Sequence, residues 1–399
     1  MEKIIMHIDV NNAFLSWTAV YLLNNGAKYD IRNSYAVIGG DEKARRGVVL
    51  AKSMPAKKLG IITGETLYSA RKKCPVLKTY PMNYPFYQEM SNKLFNLIKN
   101  YSPDIEIASI DECYLDYTKV KNLYGDPYEF ALKLKNEVNE TLGFTINIGI
   151  ANNKLCAKMA SDFSKPNKIH TLYMNEIEDK MWPLKVGELF GIGKKTKEKL
   201  ESININTIYD LAHADQNILY PFFKNQAKPM IDWANGIDNS EVVSDITSPK
   251  GISNEITLDH DISDKYKLQE YLLFLSEKVG VRIRKEKKYA YVVAVIIKDK
   301  YFKRRTHQKK LDKPVYLSKD IYEVSKEILK EMWNDDEVRL IGIRLDKLTE
   351  KRVIQTSLFD TIEEVKDNAL EQTLDNLKEK FGVSVIKRAS LKNKKDVKK

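Results

Sequence analysis

Acidic side chains stand at two places in the first third of the chain where β-strands are expected to end. Asp9 lies near the end of the apolar run 4–10, and the adjacent pair Asp111 and Glu112 lies between two β-rich runs within residues 105–117. If these strands share one sheet, three carboxylates meet at one point, and such hard oxygen donors bind Mg²⁺. Two such ions stabilise the entering and leaving oxygens of a phosphoryl transfer. An acidic pair at a turn is by itself more often a solvated hairpin.

Hydrophobic periodicity predicts the elements that position these carboxylates. The N-terminal half reads as strands and amphipathic helices in a β-α-β-β-α-β order, which suits a ferredoxin-like sheet. Beyond residue 250 a second, smaller α+β unit is expected. The predicted helices are 11–23, 84–101, 127–142, a helix from 153, and 319–333, and the predicted strands include 4–10, 144–150, 289–297 and 338–345.

Composition limits the class of protein. The chain has 399 residues, 43% of them hydrophobic, and a formal net charge of +11, a weak indication of a polyanionic partner. No apolar run approaches the ~20 residues of a membrane span. Three widely spaced cysteines and five scattered histidines predict reduced thiols, a cytoplasmic protein and no Cys/His metal cluster. Any metal is therefore expected to be a hard cation on carboxylates.

Three motifs, two of which contain these acidic residues, together resemble the signature of Y-family (DinB/UmuC-like) DNA polymerases. They occur in that family's order and at its usual spacing, and the resemblance spans roughly residues 1 to 360. It implies an α+β, right-hand polymerase with a ferredoxin-like palm, small fingers and a helical thumb, plus an α+β little-finger domain. The motifs are HIDVNNAF at 7–14, SIDECYLDYT at 109–118 and GIANNKLCAKMASDFSKPN at 149–167.

The resemblance also implies a division into domains. The palm would comprise 1–12 and 80–170, the fingers 13–79, and the thumb, with a helix-hairpin-helix, 171–239. A linker at 240–250, a DNA-binding little finger at 251–350 and a C-terminal tail at 351–399 would follow.

Carried over by motif, the metal ligands and catalytic residues are Asp9, Asp111 and Glu112, with the Val10 backbone carbonyl assisting the metal. Two Mg²⁺ ions are expected in each active site. Lys165 would contact the triphosphate of the incoming dNTP as a point charge.

Five positions bear on nucleotide selection. Phe14 falls at the steric-gate position, where a bulky ring rejects a ribose 2′-hydroxyl; from periodicity alone it reads as a helix core residue. Ala13 before it is smaller than the aromatic residue often found in the family, and Asn11 replaces a commonly acidic residue. Met54 and Lys57 stand where the family usually offers a tyrosine and an arginine. Methionine donates no hydrogen bond and lysine lacks the arginine fork, which predicts altered nucleotide affinity.

Two segments predict contacts with primer-template DNA. Gly191, Gly193, Lys194 and Lys195 resemble the first hairpin of a helix-hairpin-helix, whose backbone N–H groups bind phosphate, although a lone GxG is more often an ordinary turn. The stretch 282–310 holds twelve Lys and Arg against two acids, and its basic residues flank an apolar strand. The candidate contacts there and on the later strand are Arg304, Arg305 and Arg344, although a charge run is usually a solvated face.

The peptide QTSLFD at 355–360 resembles the short segments that dock on sliding clamps. Gln355, Leu358 and Phe359 would make the contact. The other interpretation is an amphipathic stretch that packs on its own domain.

The resulting prediction is an error-prone, lesion-bypass DNA-directed DNA polymerase that adds dNTPs to a primer 3′-hydroxyl. We expect it to be monomeric and not associated with a membrane. One alternative is a catalytically inactive palm-fold DNA-binding accessory protein of DNA repair. The other is a palm-fold nucleotide cyclase, which would need neither a helix-hairpin-helix nor a basic second domain.

Overall fold

The computed structural model describes residues 2–244, 249–350, 362–382 and 385–386. The chain forms two units, one comprising Met1–Gly40 with Val48–Ile246 and the other Asp41–Gly47 with Thr247–Lys399. In the described ranges, no helix is both long and apolar enough to cross a membrane.

The first unit combines a five-stranded sheet, a three-stranded sheet and a group of short helices. Its elements are β1 (Ile5–Val10), α1 (Ala13–Asn24), β2 (Ala36–Gly39), β3 (Val49–Lys52), α2 (Met54–Lys58), α3 (Leu67–Lys73), β4 (Lys78–Pro81), α4 (Tyr84–Lys99), β5 (Ile105–Ile107), β6 (Glu112–Asp116), α5 (Lys121–Tyr124), α6 (Pro127–Leu142), β7 (Ile146–Ala151), α7 (Lys154–Asp162), β8 (Ile169–Leu172), α8 (Ile177–Lys180), α9 (Lys194–Glu201), α10 (Ile208–Ala212), α11 (Gln216–Phe223) and α12 (Ala227–Ala234).

Strand β1 occupies the centre of the five-stranded sheet, whose order is β5-β6-β1-β7-β8. It pairs antiparallel with both β6 and β7, and all of its residues are buried. Alternate side chains face opposite sides of a strand. Met6 and Ile8 therefore join the core formed with α1, α4 and α6, whereas Ile5 joins the core formed with α7 and the short helices.

Local signals explain the bounds of α6, which are the predicted ones. The Asp126 side chain accepts hydrogen bonds from the backbone N–H groups of Tyr128 and Glu129, and Pro127 stands at the first helical position. Gly143 ends the helix at φ +77°, a conformation that glycine adopts without steric cost.

The second unit is a four-stranded antiparallel sheet with helices packed against it. The sheet order is β11-β10-β12-β9, and α13 and α14 supply side chains to the core beneath it. Helix α15 bonds to α13, since Arg284 contacts Glu371 at 2.9 Å and Asp375 at 2.6 Å. The elements are β9 (Gly251–Ile262), α13 (Lys265–Lys285), β10 (Tyr289–Asp299), β11 (Arg304–Val315), α14 (Ser318–Met332), β12 (Val338–Thr349) and α15 (Ile362–Phe381).

Gly149 sets how closely α7 approaches the sheet. A Cβ atom at this position would lie 2.0 Å from the Ala157 carbonyl oxygen and 2.4 Å from the Ser161 nitrogen, both on the backbone of α7. We expect Gly149→Ala to lower the free energy of unfolding by at least about 1–3 kcal/mol, because the helix must move away from β7.

Urea unfolding measures this loss, and Gly193→Ala is the matched control. No atom lies within 4 Å of a Cβ at position 193, so its unfolding midpoint should stay near that of the unmodified chain. Equal midpoints for the two variants would contradict the close-packing account.

Candidate active site

The pairing of β1 brings the three predicted metal ligands to one end of the sheet. Asp9 is opposite Glu112 in the register with β6 and opposite Asn147 in the register with β7. The next residue, Val10, donates its backbone N–H to the Asp111 carbonyl oxygen at 3.0 Å. Two carboxylates on adjacent strands and a third at the turn are therefore neighbours, although they are about 100 positions apart in the chain.

Asp9 is a largely buried carboxylate bonded to a lysine. Its side chain is 12% exposed, and its Oδ2 accepts a hydrogen bond from Lys165 Nζ at 2.5 Å. Burial raises the pKa of Asp9, and the nearby positive charge of Lys165 opposes that rise. Although burial also disfavours a charged lysine, Asp9 and Asp162 raise the pKa of Lys165.

Glu112 is held as an anion by two groups on the face of the sheet that α7 covers. The hydrogen bond from His7 and then the bond from Lys158 lower the pKa of Glu112 to about 2, against the effect of burial. The distances from Glu112 Oε2 are 3.2 Å to His7 Nε2 and 2.7 Å to Lys158 Nζ. Burial lowers the pKa of His7, and the ring is oriented by a hydrogen bond between its Nδ1 and the Ser161 hydroxyl at 2.8 Å.

The third carboxylate, Asp111, lies at the turn before β6. Its Oδ1 accepts a hydrogen bond from the Ser109 hydroxyl at 2.6 Å. This bond orients the side chain at the turn.

The donor set suits a hard divalent cation, yet two of the three carboxylates, Asp9 and Glu112, are bonded to lysines. Across 2–244, 249–350 and the described part of the C-terminal segment, no group of three or more His, Cys, Asp and Glu is arranged to hold a metal ion. Three carboxylates at adjacent strand ends are nevertheless the ligands that Mg²⁺ takes. The burial of Asp9 makes a positive charge beside it necessary, and a divalent ion would supply one.

A buried amide network fixes the loop that carries Lys165. The Asn147 amide nitrogen donates to the carbonyl oxygens of Ser161 at 3.0 Å and Ser164 at 2.6 Å. Its amide oxygen accepts from Asn11 Nδ2 at 3.0 Å and from the Lys168 N–H at 3.1 Å. The network therefore connects the catalytic end of β1 to both sides of Lys165.

A cavity of about 820 Å³ opens beside that loop, between the start of α1, β3, α2 and Lys165. Met54 and Lys57 both line it, and Met54 is 47% exposed. The structure thus places three of the predicted nucleotide-binding residues around one cavity. Five basic side chains contribute to its lining: Arg32, Lys52, Lys57, Lys58 and Lys165.

Phe14 and Ala13 do not line this cavity. The half-buried Phe14 ring stacks on Tyr87 with centroids 4.9 Å apart and an interplanar angle of 12°. Ala13 is buried in the core. Phe14 therefore packs in the core in this conformation, the role that periodicity alone indicated.

The predicted helix-hairpin-helix residues lie at a tight turn before α9. Gly191 has φ +92°, and a Cβ there would lie 3.2 Å from the Trp233 ring. Gly193 is the N-cap of α9 and Lys194 is 89% exposed, while Lys195 follows in the first turn.

Carboxylates within the second unit pair with the three candidate arginines. Their nearest partner distances are 2.5 Å for Arg304 with Glu255, 2.6 Å for Arg305 with Asp336 and 2.6 Å for Arg344 with Asp346. The count of basic residues in the sequence did not reveal these neighbours: Glu255 lies on another strand and Asp336 precedes β12, whereas Asp346 follows Arg344 by two residues on the same strand. Gln355, Leu358 and Phe359 lie outside the described residues.

Sequence reasoning missed several residues that shape the site. His7 and Lys158 lie within the quoted motifs, but nothing in their spacing showed that both contact Glu112. Asn147 sits in a run that reads as a buried strand, INIGIA, where an amide is an unusual residue. A polar residue within an apolar strand pattern was the one signal in the sequence that could have indicated the role of Asn147.

Comparison with known proteins identifies the family. Three family profiles match this chain. The profile of the impB/mucB/samB family matches residues 8–162, the profile of that family's C-terminal domain matches residues 249–358, and the profile of the IMS family HHH motif matches residues 175–205. A protein of Clostridium acetobutylicum named DNA polymerase IV is 47% identical over 99% of this chain and 100% of its own length. The chain belongs to the Y family of DNA polymerases.

More distant relatives and solved structures agree with this identification. DNA polymerase IV 1 of Bacillus subtilis is 32% identical over 100% of this chain and 95% of its own. A Y-family DNA polymerase chimera, Dbh-Dpo4(243-245)-Dbh, has a TM-score of 0.75 at 25% identity, covering 87% of this chain and 100% of that one. An insertion ternary complex of Dbh DNA polymerase has a TM-score of 0.60 at 25% identity over the same shares.

These findings confirm three predictions from the sequence. The resemblance to Y-family polymerases, the α+β right-hand polymerase fold and the assignment as a DNA-directed DNA polymerase all hold. The HHH profile covers the predicted hairpin residues 191–195.

The amide network generates a prediction about Asn147. Asn147→Ala leaves several backbone and side-chain partners in the buried loop without a hydrogen bond, and each such group costs about 1–3 kcal/mol. We expect the free energy of unfolding to fall by about 2–4 kcal/mol in total. Urea unfolding measures this loss.

Asn139→Ala, an exposed substitution on α6, is the matched control and should change the unfolding midpoint little. If both variants unfold at the same urea concentration, the network does not hold the loop.

Proposed function

We propose that this chain is a lesion-bypass DNA-directed DNA polymerase whose active site lies where Asp9, Asp111 and Glu112 meet. In the reaction the primer 3′-oxygen bonds to the α-phosphorus of a dNTP, the bond to the β-phosphate oxygen breaks, and pyrophosphate leaves. The observation that carries the assignment is the register of β1, which sets Asp9 opposite Glu112 and bonds Val10 to Asp111, within a Y-family fold.

Asp9, Asp111 and Glu112 would hold two Mg²⁺ ions, assisted by the Val10 carbonyl. Such ions supply charge stabilisation for the entering and leaving oxygens of the transfer. The protein's own part is to keep the carboxylates ionised and aligned: Lys158 and His7 hold Glu112, and Lys165 neutralises Asp9. Lys165 also lines the cavity, so it is placed to contact a triphosphate there.

The five-stranded sheet would be the palm, and the cavity beside it would take the dNTP. Met54 and Lys57 line this cavity in place of the tyrosine and arginine usual in the family, so grip on the phosphates comes from lysine charge rather than from a bidentate fork. A pocket with little shape discrimination separates correct from incorrect pairs poorly, which agrees with an error-prone, damage-tolerant enzyme.

Primer-template DNA would contact both units. In the first, the turn at Gly191 and Gly193 with Lys194 and Lys195 would bind phosphates without reading sequence. In the second, the exposed side chains of β11 would lie along the DNA backbone, and Arg304, Arg305 and Arg344 would exchange their carboxylate partners for phosphate.

Clamp docking through residues 355–360, a monomeric state and a cytoplasmic location remain predictions from the sequence. The clamp peptide matches the pattern of a short docking segment in which Leu358 and Phe359 fill an apolar pocket and Gln355 bonds beside it.

Replacing the acidic pair tests catalysis directly. We expect Asp111→Ala with Glu112→Ala to lower the rate of primer extension at least about 100-fold, because the charges that stabilise the transferring phosphoryl group are lost. Filter binding to primer-template at rising salt should be nearly unchanged, since the proposed DNA contacts lie elsewhere.

Asp116→Asn, at the other end of β6, is the matched control and should retain extension. Extension that survives in the double variant would contradict the catalytic assignment of Asp111 and Glu112. An unmodified chain that binds primer-template but extends no primer would instead indicate an accessory DNA-binding role.

The steric-gate assignment of Phe14 has its own test. We expect Phe14→Ala to reduce discrimination against ribonucleotides by roughly 10- to 100-fold, because the ring no longer opposes the 2′-hydroxyl. Single-nucleotide insertion of each dNTP and its ribonucleotide counterpart measures the ratio of kcat/KM values.

Phe14→Tyr keeps a ring of similar size and should keep the discrimination. If Phe14→Ala discriminates as the unmodified chain does, Phe14 serves only the core stacking on Tyr87.

A further inference from the structure

Lys52 is a basic side chain of the nucleotide cavity that the family motifs do not assign. It ends β3, directly before Ser53, whose hydroxyl caps α2 by accepting from the Ala56 N–H. Its backbone carbonyl accepts a hydrogen bond from Asn12 Nδ2 at 2.6 Å. The backbone of Lys52 is therefore hydrogen-bonded to the junction between β1 and α1. The residue that makes this bond, Asn12, follows Asp9 by three positions.

The Lys52 ammonium group faces a cavity that holds like charges. In the part of the chain that the structure describes, the only hydrogen-bond acceptor for this group is the Thr63 hydroxyl, at 3.0 Å. Burial and then the charge of Lys57 lower the pKa of Lys52, and the charge of Glu65 opposes this shift. Among the described residues, no carboxylate lies within 4.0 Å of Lys52, Lys57 or Lys58, although lysines elsewhere on this unit are commonly paired.

Lys52, Lys57 and Lys58 line the cavity together, and like charges collected in this way are stabilised by a bound polyanion. The arrangement sits beside Lys165, at the catalytic end of the sheet. The two positions that would normally supply a hydroxyl and a guanidinium fork are Met54 and Lys57, which leaves an anion in this cavity short of donors.

We propose that Lys52 binds the triphosphate of the incoming nucleotide and supplies a contact that Met54 and Lys57 do not make. The inference rests on the proposed polymerase function, and it adds a substrate-binding residue from β3. Its ligand class is a nucleoside triphosphate, recognised through the phosphates and not through the base.

The test separates the ammonium charge from the packing of the side chain. Lys52→Met keeps a long apolar stem and should raise the KM for dNTP about 10-fold, while kcat and the Kd for primer-template change less than about threefold. Lys52→Arg should restore KM to within about threefold. Lys99→Met, an exposed substitution on α4, is the matched control and should leave KM unchanged.

A purely structural role for Lys52 would act through its bond to Thr63. Thr63→Val removes that partner, so a KM defect equal to that of Lys52→Met would overturn the inference. An unchanged KM in Thr63→Val supports a direct contact between Lys52 and the phosphates.

Binding of inorganic tripolyphosphate distinguishes this inference from the function on which it rests. By isothermal titration calorimetry, Lys52→Met should bind this anion about 10-fold more weakly than the unmodified chain, and Lys99→Met should bind it normally. A tripolyphosphate affinity that does not depend on Lys52 overturns the inference even if primers are extended. Dependence on Lys52 in a chain that extends no primer supports the anion site and refutes the polymerase.

Discussion

The burial of one carboxylate, Asp9, is the constraint on which the rest of the site depends. Strand β1 is paired on both sides and covered on both faces, so the carboxylate near its end is largely removed from water. A buried charge requires an opposite charge and fixed hydrogen bonds. Lys165 supplies the charge, and Asn147 holds the loop from which that lysine reaches Asp9.

The remaining charges of the site are also arranged by sign. Glu112 is kept anionic by His7 and Lys158, whereas three lysines of the adjacent cavity, Lys52, Lys57 and Lys58, form no ion pair with a carboxylate in the described part of the chain. The carboxylates at the end of the sheet thus attract cations, and the lysines of the cavity attract an anion. A metal-bound nucleoside triphosphate has both kinds of charge, which agrees with the proposed dNTP substrate.

What the sequence could predict depended on how local the signal was. Helix α6 has the predicted bounds because a capping aspartate, a proline and a terminal glycine lie next to it. Strands β9 and β11 and helix α13 escaped prediction: β11 is mostly exposed and polar, so no apolar alternation marks it. The contacts of Asn147, Lys158 and Lys52 arise from tertiary packing, which residue spacing does not encode.

Equilibrium binding of Mn²⁺, as a stand-in for Mg²⁺, tests most directly whether the three carboxylates form a divalent-cation site. Calorimetric titration of the unmodified chain and of Asp9→Asn, each with saturating dNTP, compares the two affinities. The account predicts that Asp9→Asn binds Mn²⁺ at least about 10-fold more weakly, because a carboxylate ligand becomes a neutral amide. Equal affinity in the two proteins would contradict it, since the ion would then be held without the carboxylate on which the arrangement of the site depends.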